Sequence, residues 1–222
     1  MRSIAIDGPA GAGKSTLAKA LAKKIGYIYV DTGAIYRCVG LYALENGISP
    51  RDIPAVEACL SRVEISLSYD ETGNQRMHLC GNDVTDRIRT PEVSMAASAV
   101  SAIPAVRAFL LEMQRDMARR YNVIMDGRDI GTVVLPDADV KVFLTASPEA
   151  RAKRRYLELQ AKGDSATYEE VLRDMEKRDR DDSTRAAAPL KAADDAVLLD
   201  TTPYTLEESI ALLEKITEGK TV

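Results

Sequence analysis

What the chain lacks narrows its chemistry before any motif is considered. It holds a single histidine, His78, and no arrangement of residues that suggests an acyl-transfer triad. His78 falls in an alternating run, where a packed or solvated strand residue is the ordinary reading. The three cysteines, Cys38, Cys59 and Cys80, form no C-x-x-C pair. That odd number and spacing argue against a disulfide framework or a zinc site, and suit a reducing cytoplasm. No apolar run approaches the roughly 18 residues that span a membrane. The first residues show no basic, apolar and cleavage-site succession of a signal peptide. A basic excess is missing too: the net charge is -4, which argues against a broadly cationic nucleic-acid surface but leaves room for local basic clusters. The expectation is a cytoplasmic monomer whose partners are small molecules, with neither nucleic acid nor membrane among them.

What is present is an ordinary globular composition, 45% hydrophobic and 29% charged over 222 residues, enough for one compact domain with insertions or two small ones. One stretch organises it: Gly8-Pro9-Ala10-Gly11-Ala12-Gly13-Lys14-Ser15-Thr16. It fits G-x-x-x-x-G-K-[ST], the phosphate-binding loop. The context fits as well, because Ser3 to Asp7 reads as a short buried strand and Ser15 to Ile25 as a helix. A strand turning through glycines into a helix aims backbone N–H groups and a helix N-terminus at one point, which is an anion site. Lys14 is placed to reach the terminal phosphates of a nucleotide and the Ser15 hydroxyl to reach Mg²⁺. The bland alternative is a glycine-rich connector.

Further along, Tyr27 to Asp31 reads as a second strand, and Thr32 as the N-cap of a helix running to Asn46. Tyr36 and Arg37 sit in its first turn, at the carboxyl edge of a sheet where ligands bind in open α/β folds. A short helix follows over Pro54 to Arg62. The period then changes: Val63, Ile65, Leu67 and Tyr69 alternate, Asp70 to Asn74 form a turn cluster, and Met77 and Leu79 alternate on the way back. This is an antiparallel hairpin inserted in an α/β chain. Pro104 splits the next helical region into Glu92 to Ala102 and Ala105 to Arg119, with Ser98 and Arg107 as polar members. Asn122 to Met125 is a third buried strand, ending in Asp126-Gly127-Arg128-Asp129-Ile130-Gly131. An acid after an apolar strand beside a phosphate loop suits the Mg²⁺ of a bound nucleotide. Val140 to Leu144 is a fourth strand; Ser147 and Pro148 open a helix from Glu149 to Lys162 that carries Arg151, Arg154 and Arg155. A helix from Tyr168 to about Arg178 leads into the charge run Arg178 to Arg185. Such runs are usually solvated faces; beside a phosphate loop, a mobile flap that delivers arginines is the favoured reading. Ala196 to Asp200 is a fifth strand and Thr205 to Glu218 a closing helix. The predicted fold class is α/β: a five-stranded parallel sheet covered by helices on both faces, with a small antiparallel β insertion; the resemblance described below adds a helical lid.

Phosphoryl transfer to an acceptor phosphate fits this inventory. A phosphate monoester has a second pKa near about 6, so its oxygen is largely ionised at neutral pH and needs no general base. Alignment, Mg²⁺ and cations then suffice. A GTPase is disfavoured, since no asparagine is followed by lysine as in N-K-x-D, and the D-x-x-G match Asp70 to Gly73 lies in a hairpin turn. A nucleotide-binding regulatory module, or a kinase for another small acceptor, remains as an alternative; arginines grouped at Arg37/Arg107/Arg128 and at Arg154/Arg178/Arg185 favour provision for two phosphate groups.

Over nearly its whole length the chain resembles bacterial cytidylate kinases. The resemblance is carried by Ile6-Asp7-Gly8-Pro9 through Gly13-Lys14, Asp31-Thr32-Gly33-Ala34-Ile35-Tyr36-Arg37, Ile88 to Val93, Asp126 to Val134, and Arg178-Asp179 with Arg185 to Leu190. It departs at Ala10, where many relatives carry serine. It implies transfer of the γ-phosphoryl group of ATP (or dATP) to CMP or dCMP. It implies a core over residues 1–35, 120–148 and 190–222, a monophosphate-binding region with the β insertion over 36–119, and a lid over 149–189. By motif position, Thr32, Tyr36, Arg37, Ser98, Arg107, Arg128, Asp129, Asp182 and Arg185 line the acceptor site. In that scheme Ser98, Arg107 and Asp129 read the cytosine edge, Arg37 and Arg128 grip its phosphate, and Asp182 and Arg185 lie near the sugar. Gly8 to Thr16 cradle the donor. Lys14, Arg128, Arg154 and Arg178 stabilise the transferring group. Ser15, with Asp126 through water, holds Mg²⁺.

Overall fold

The computed structural model describes residues 1–161 and 163–219. Lys162, the expected last residue of one helix, and residues 220–222 of the expected core lie outside the described residues. The chain begins with β1 (Ser3–Asp7), α1 (Lys14–Ile25), β2 (Ile28–Asp31) and α2 (Thr32–Glu45). Next come α3 (Ile53–Cys59), β3 (Ile65–Tyr69), β4 (Gln75–Leu79), β5 (Asn82–Asp83), α4 (Pro91–Ser101) and α5 (Pro104–Arg120). The remainder is β6 (Val123–Gly127), β7 (Val140–Thr145), α6 (Pro148–Ala161), α7 (Tyr168–Thr184), β8 (Val197–Asp200) and α8 (Leu206–Thr217). Five strands form a parallel sheet in the order β2-β6-β1-β7-β8, flanked by helices, and three form a small antiparallel sheet in the order β3-β4-β5. β1 is apolar and buried over Ile4 to Ile6, as a central parallel strand must be. It runs beside β7 in the register Ile4↔Val140 to Asp7↔Phe143. No single helix among the described residues is long and apolar enough to cross a membrane.

The chain divides into two compact units, residues 28–123 with Met1, and residues 2–27 with 124–222. Within the first, α2 crosses α4 at Gly40, where a Cβ would lie 2.9 Å from the Ala97 nitrogen and 3.1 Å from the Ala96 Cβ. Buried Gln75 of β4 serves the end of β2: its Oε1 accepts the Asp31 N–H at 2.8 Å. Within the second, α6 and α7 form a hairpin around Ala152, Val171 and Met175. Met175 lies against the glycine loop, since a Cβ on Gly11 would come 2.9 Å from its Cε.

The sequence reading changes in four places. The cap of α2 is Asp31, whose Oδ1 accepts the Ala34 N–H at 2.9 Å, and Thr32 is already helical; both residue types cap well, and sequence does not choose between neighbours. The hairpin gains the third strand β5 through the two-residue turn Cys80-Gly81, with φ of 48° and 79°. Such a turn needs positive φ at both centres, which a cysteine does not advertise. Ile130–Val134 forms a single π-helical turn, where the sequence marks only a polar stretch closing a strand. Helix α7 continues to Thr184, so the charge run from Arg178 is helical up to its last residue instead of following the helix. Charged residues cost an α-helix only a few tenths of a kcal/mol each, and a capping box of Thr167 and Glu170 secures its start.

Gly40→Val inserts a branched side chain where two helix backbones nearly touch. Urea unfolding should show a loss of about 1–3 kcal/mol; an unchanged midpoint would contradict the close crossing.

Candidate active site

In the second unit, β1 feeds the glycine loop into α1. Gly8, Gly11 and Gly13 take φ of 147°, 73° and 90°. Gly13 is the N-cap of α1, no side chain caps it, and no acid lies in the first turn. The first N–H groups of α1 therefore lack a side-chain acceptor, the condition under which a helix N-terminus binds an anion. Lys14 is buried and its Nζ donates to the Pro9 carbonyl at 2.8 Å. Burial, and after it the positive charge of Arg128, holds its pKa well below the usual lysine range, against the pull of Asp126 and Asp7. A bound anion would favour its charged form. The Ser15 hydroxyl donates to the Asp126 carboxylate at 2.8 Å. An acid and a hydroxyl so joined form the hard-oxygen donor pair that Mg²⁺ takes alongside water and phosphate.

Around this loop, arginines are held by carboxylates. Arg128 donates through Nε to Asp182 at 2.9 Å. Arg185 lies 3.5 Å from Asp129 and 4.0 Å from Asp182, and its Nε donates to the Ala188 carbonyl at 2.6 Å. Burial pushes the Asp182 carboxyl up, but Arg128, Arg178 and Arg185 outweigh it and keep it below the ordinary range. Arg178 is close enough to act electrostatically on both Lys14 and Asp182. The expected residues Lys14, Ser15, Asp126, Arg128, Asp129, Arg178, Asp182 and Arg185 thus belong to one connected set within this unit. Arg154 is engaged elsewhere, donating to the Thr201 carbonyl at 3.0 Å.

The first unit holds a second set. Asp31 is buried, with Arg89 at 3.0 Å and Arg37 at 3.7 Å on one of its oxygens. Burial raises its pKa, yet Arg37 and Arg89 together leave it below the ordinary carboxylate value. A buried Nη1 of Arg37 makes no hydrogen bond. The Arg107 guanidinium stacks 5.6 Å from the Tyr36 ring centre and donates to the Ser101 carbonyl at 3.4 Å. The Ser98 carbonyl in turn accepts from the Ser101 hydroxyl at 2.8 Å. Thr32 is buried in the first turn of α2.

Three participants escaped the sequence reading. Arg151 is 3% exposed and donates to the loop carbonyl of Ala10 at 3.0 Å, to the Ala146 carbonyl at 2.9 Å and to Asp179 at 2.6 Å, fastening α6 and α7 to the phosphate loop. Its alanine neighbours were the available signal for a buried face. Arg89 was visible only as part of a motif. Asp7, an acid closing an apolar strand, accepts the N–H groups of Ile130 and Gly131, each at 2.7 Å.

Fold and loop together define a phosphate-loop nucleotide-binding protein. A family model described as cytidylate kinase matches residues 4–218. A cytidylate kinase of Caldicellulosiruptor bescii is 52% identical over 216 residues, covering 97% of this chain and 94% of its own. One of Carboxydothermus hydrogenoformans is 52% identical over 213 residues, with 96% of each chain covered. The chain belongs to the cytidylate kinase family. A crystal structure of an uncharacterized protein from Eubacterium ventriosum covers 99% of this chain and 100% of its own at a TM-score of 0.55 and 11% identity, a likeness of fold alone.

Burial raises the Asp7 pKa from 3.8 to about 6, against the two backbone N–H groups that lower it. The native state therefore holds this proton more tightly than the unfolded chain does. Its stabilising effect is complete below about pH 4 and is lost as the pH rises through about 6, a swing of ~3 kcal/mol. Asp7→Asn has nothing to titrate there. Urea unfolding should show wild type losing about that much relative to the variant between pH 4 and 7; a pH-independent difference would contradict the assignment.

Proposed function

We propose that the protein transfers the γ-phosphoryl group of ATP to CMP or dCMP, giving ADP and CDP or dCDP. The observation that carries this reading is the buried Lys14 in an uncapped glycine loop beside the Ser15–Asp126 pair, in a chain of the cytidylate kinase family. Gly8 to Thr16 bind the donor phosphates through backbone N–H groups. Ser15, with Asp126 through water, is the place for Mg²⁺, which offsets negative charge on the nucleotide phosphates. Lys14, Arg128, Arg154 and Arg178 supply positive charge to the transferring group, Arg154 after leaving Thr201.

The acceptor needs no general base, because its phosphate is already ionised at neutral pH. Arg37 and Arg128 bind that phosphate; Nη1 of Arg37 has an ion pair with Asp31 at 3.7 Å but no hydrogen bond, so it keeps a proton to donate. Thr32 and Tyr36 line the same site. Ser98, Arg107 and Asp129 read the base: an acid accepts from the cytosine amino group, while arginine and serine donate to its ring nitrogen and carbonyl. Uracil presents an acceptor where cytosine has that donor, and leaves a buried acid unpaired. Asp182 and Arg185 serve the sugar. In this reading residues 149–189 act as a lid on a core of 1–35, 120–148 and 190–222, with 36–119 as the monophosphate-binding region. The protein works as a cytoplasmic monomer on small nucleotides, without nucleic acid or membrane.

Two variants test the assignment. Lys14→Ala should lower kcat by about two or more orders of magnitude with unfolding behaviour retained; near-normal turnover would remove the loop from catalysis. Arg107→Ala should raise KM for CMP at least about tenfold and leave KM for ATP nearly unchanged; equal rises in both would place Arg107 elsewhere.

A further inference from the structure

Asp7 is the last residue of β1 and directly precedes the phosphate loop, yet both of its oxygens serve a different segment. Oδ1 accepts the Ile130 N–H and Oδ2 the Gly131 N–H, each at 2.7 Å. Asp7 is 4% exposed. Burying an acid at a strand end is costly, and an apolar residue would complete the strand without that cost. The two N–H groups it holds open the π-helical turn Ile130–Val134, which closes with the Leu135 N–H on the Ile130 carbonyl at 2.7 Å. Single π-turns concentrate at functional sites. The residue immediately before this turn is Asp129, with φ of -149° and ψ of 29°. Fixing the peptide nitrogens of Ile130 and Gly131 fixes the peptide planes on which the ψ of Asp129, and so the direction of its side chain, depends. Arg185, 3.5 Å from the Asp129 carboxylate, constrains the same side chain. Gly131 completes the clamp: a Cβ there would sit 3.2 Å from the Lys141 stem and 3.4 Å from Oδ2 of Asp7.

We propose that Asp7 is a positioning residue for acceptor selection, its carboxylate clamping the turn that aims Asp129 at the pyrimidine base. This rests on the assignment of Asp129 to the base given above. The arrangement joins the start of the donor loop and the base-reading turn through one side chain, so that neither moves without the other.

The test is steady-state kinetics on the full chain for wild type, Asp7→Asn, Gly131→Ala and Asp129→Asn. CMP and UMP are each varied at saturating ATP, and ATP at saturating CMP. An asparagine at position 7 offers one acceptor where the carboxylate offers two. Asp7→Asn should raise KM for CMP about tenfold and narrow the CMP:UMP ratio of kcat/KM, with KM for ATP within about twofold. Hydrogen exchange at the Ile130 and Gly131 amides should quicken in the same variant. Gly131→Ala should shift CMP kinetics in the same direction by less, and carries the test should Asp7→Asn fail to fold. If Asp129→Asn impairs CMP use but both clamp variants leave CMP kinetics and the CMP:UMP ratio unchanged, or raise both KM values equally, the clamp is refuted and the base assignment stands. If Asp129→Asn leaves CMP kinetics intact, the base assignment falls and the clamp's role falls with it.

Discussion

At Gly8 the backbone runs so close to β7 that a Cβ would lie 1.9 Å from the Leu144 carbonyl oxygen, at a φ of 147°. No side chain fits that position, and the conformation itself belongs to glycine. From this passage follows the course of the loop over the end of the sheet. Gly11 leaves space for Met175 of α7, and Gly13 turns the chain into α1 with its first N–H groups uncapped. Lys14 is then carried inward as the first helical residue, so that its ammonium is buried among Arg128, Asp126 and Asp7. Everything proposed for the donor side depends on a strand ending at Asp7 and a helix beginning at Lys14 with only glycine-permitted geometry between them.

The second recurring feature is the pairing of several arginines around the two clusters with buried or half-buried carboxylates. Arg128 rests on Asp182, Arg185 on Asp129, Arg151 on Asp179, and Arg37 and Arg89 on Asp31. Breaking one partner of a buried pair typically costs about 3–5 kcal/mol, so these acids keep the arginines in place before any nucleotide arrives. Held cations need little rearrangement when phosphate charge develops, which is the electrostatic contribution that phosphoryl transfer relies on. The same pairing explains why Asp31 and Asp182 remain below the ordinary carboxylate range in spite of burial.

The sequence made the frame legible wherever a local pattern had one meaning. The phosphate loop, the alternation of short apolar strands with helices, the Pro104 break and the β insertion all appear where periodicity and glycine placed them. Boundaries and caps were harder, because Asp31 and Thr32 are equally good caps and only the Ala34 N–H decides between them. The charge run after Arg178 was ambiguous because helix and flap differ by tertiary support: Asp182 is buried and takes Arg128, which no neighbouring residue in sequence reveals. Asp7, Arg89 and Arg151 were invisible as functional groups for the same reason. Their partners lie 123, 58 and 28 residues away, at Ile130, Asp31 and Asp179. Two units of structure each bring distant polar residues together, and pattern reading along one chain does not see such meetings.

The central claim is that this fold moves a phosphoryl group onto a cytidine monophosphate. The most direct measurement is ADP release from Mg-ATP with CMP, dCMP, UMP, AMP, GMP and shikimate offered separately. The account predicts turnover led by CMP and dCMP. Release led by another acceptor would contradict the base-reading assignments, and no acceptor-dependent release at all, with ATP still bound, would contradict the enzyme itself.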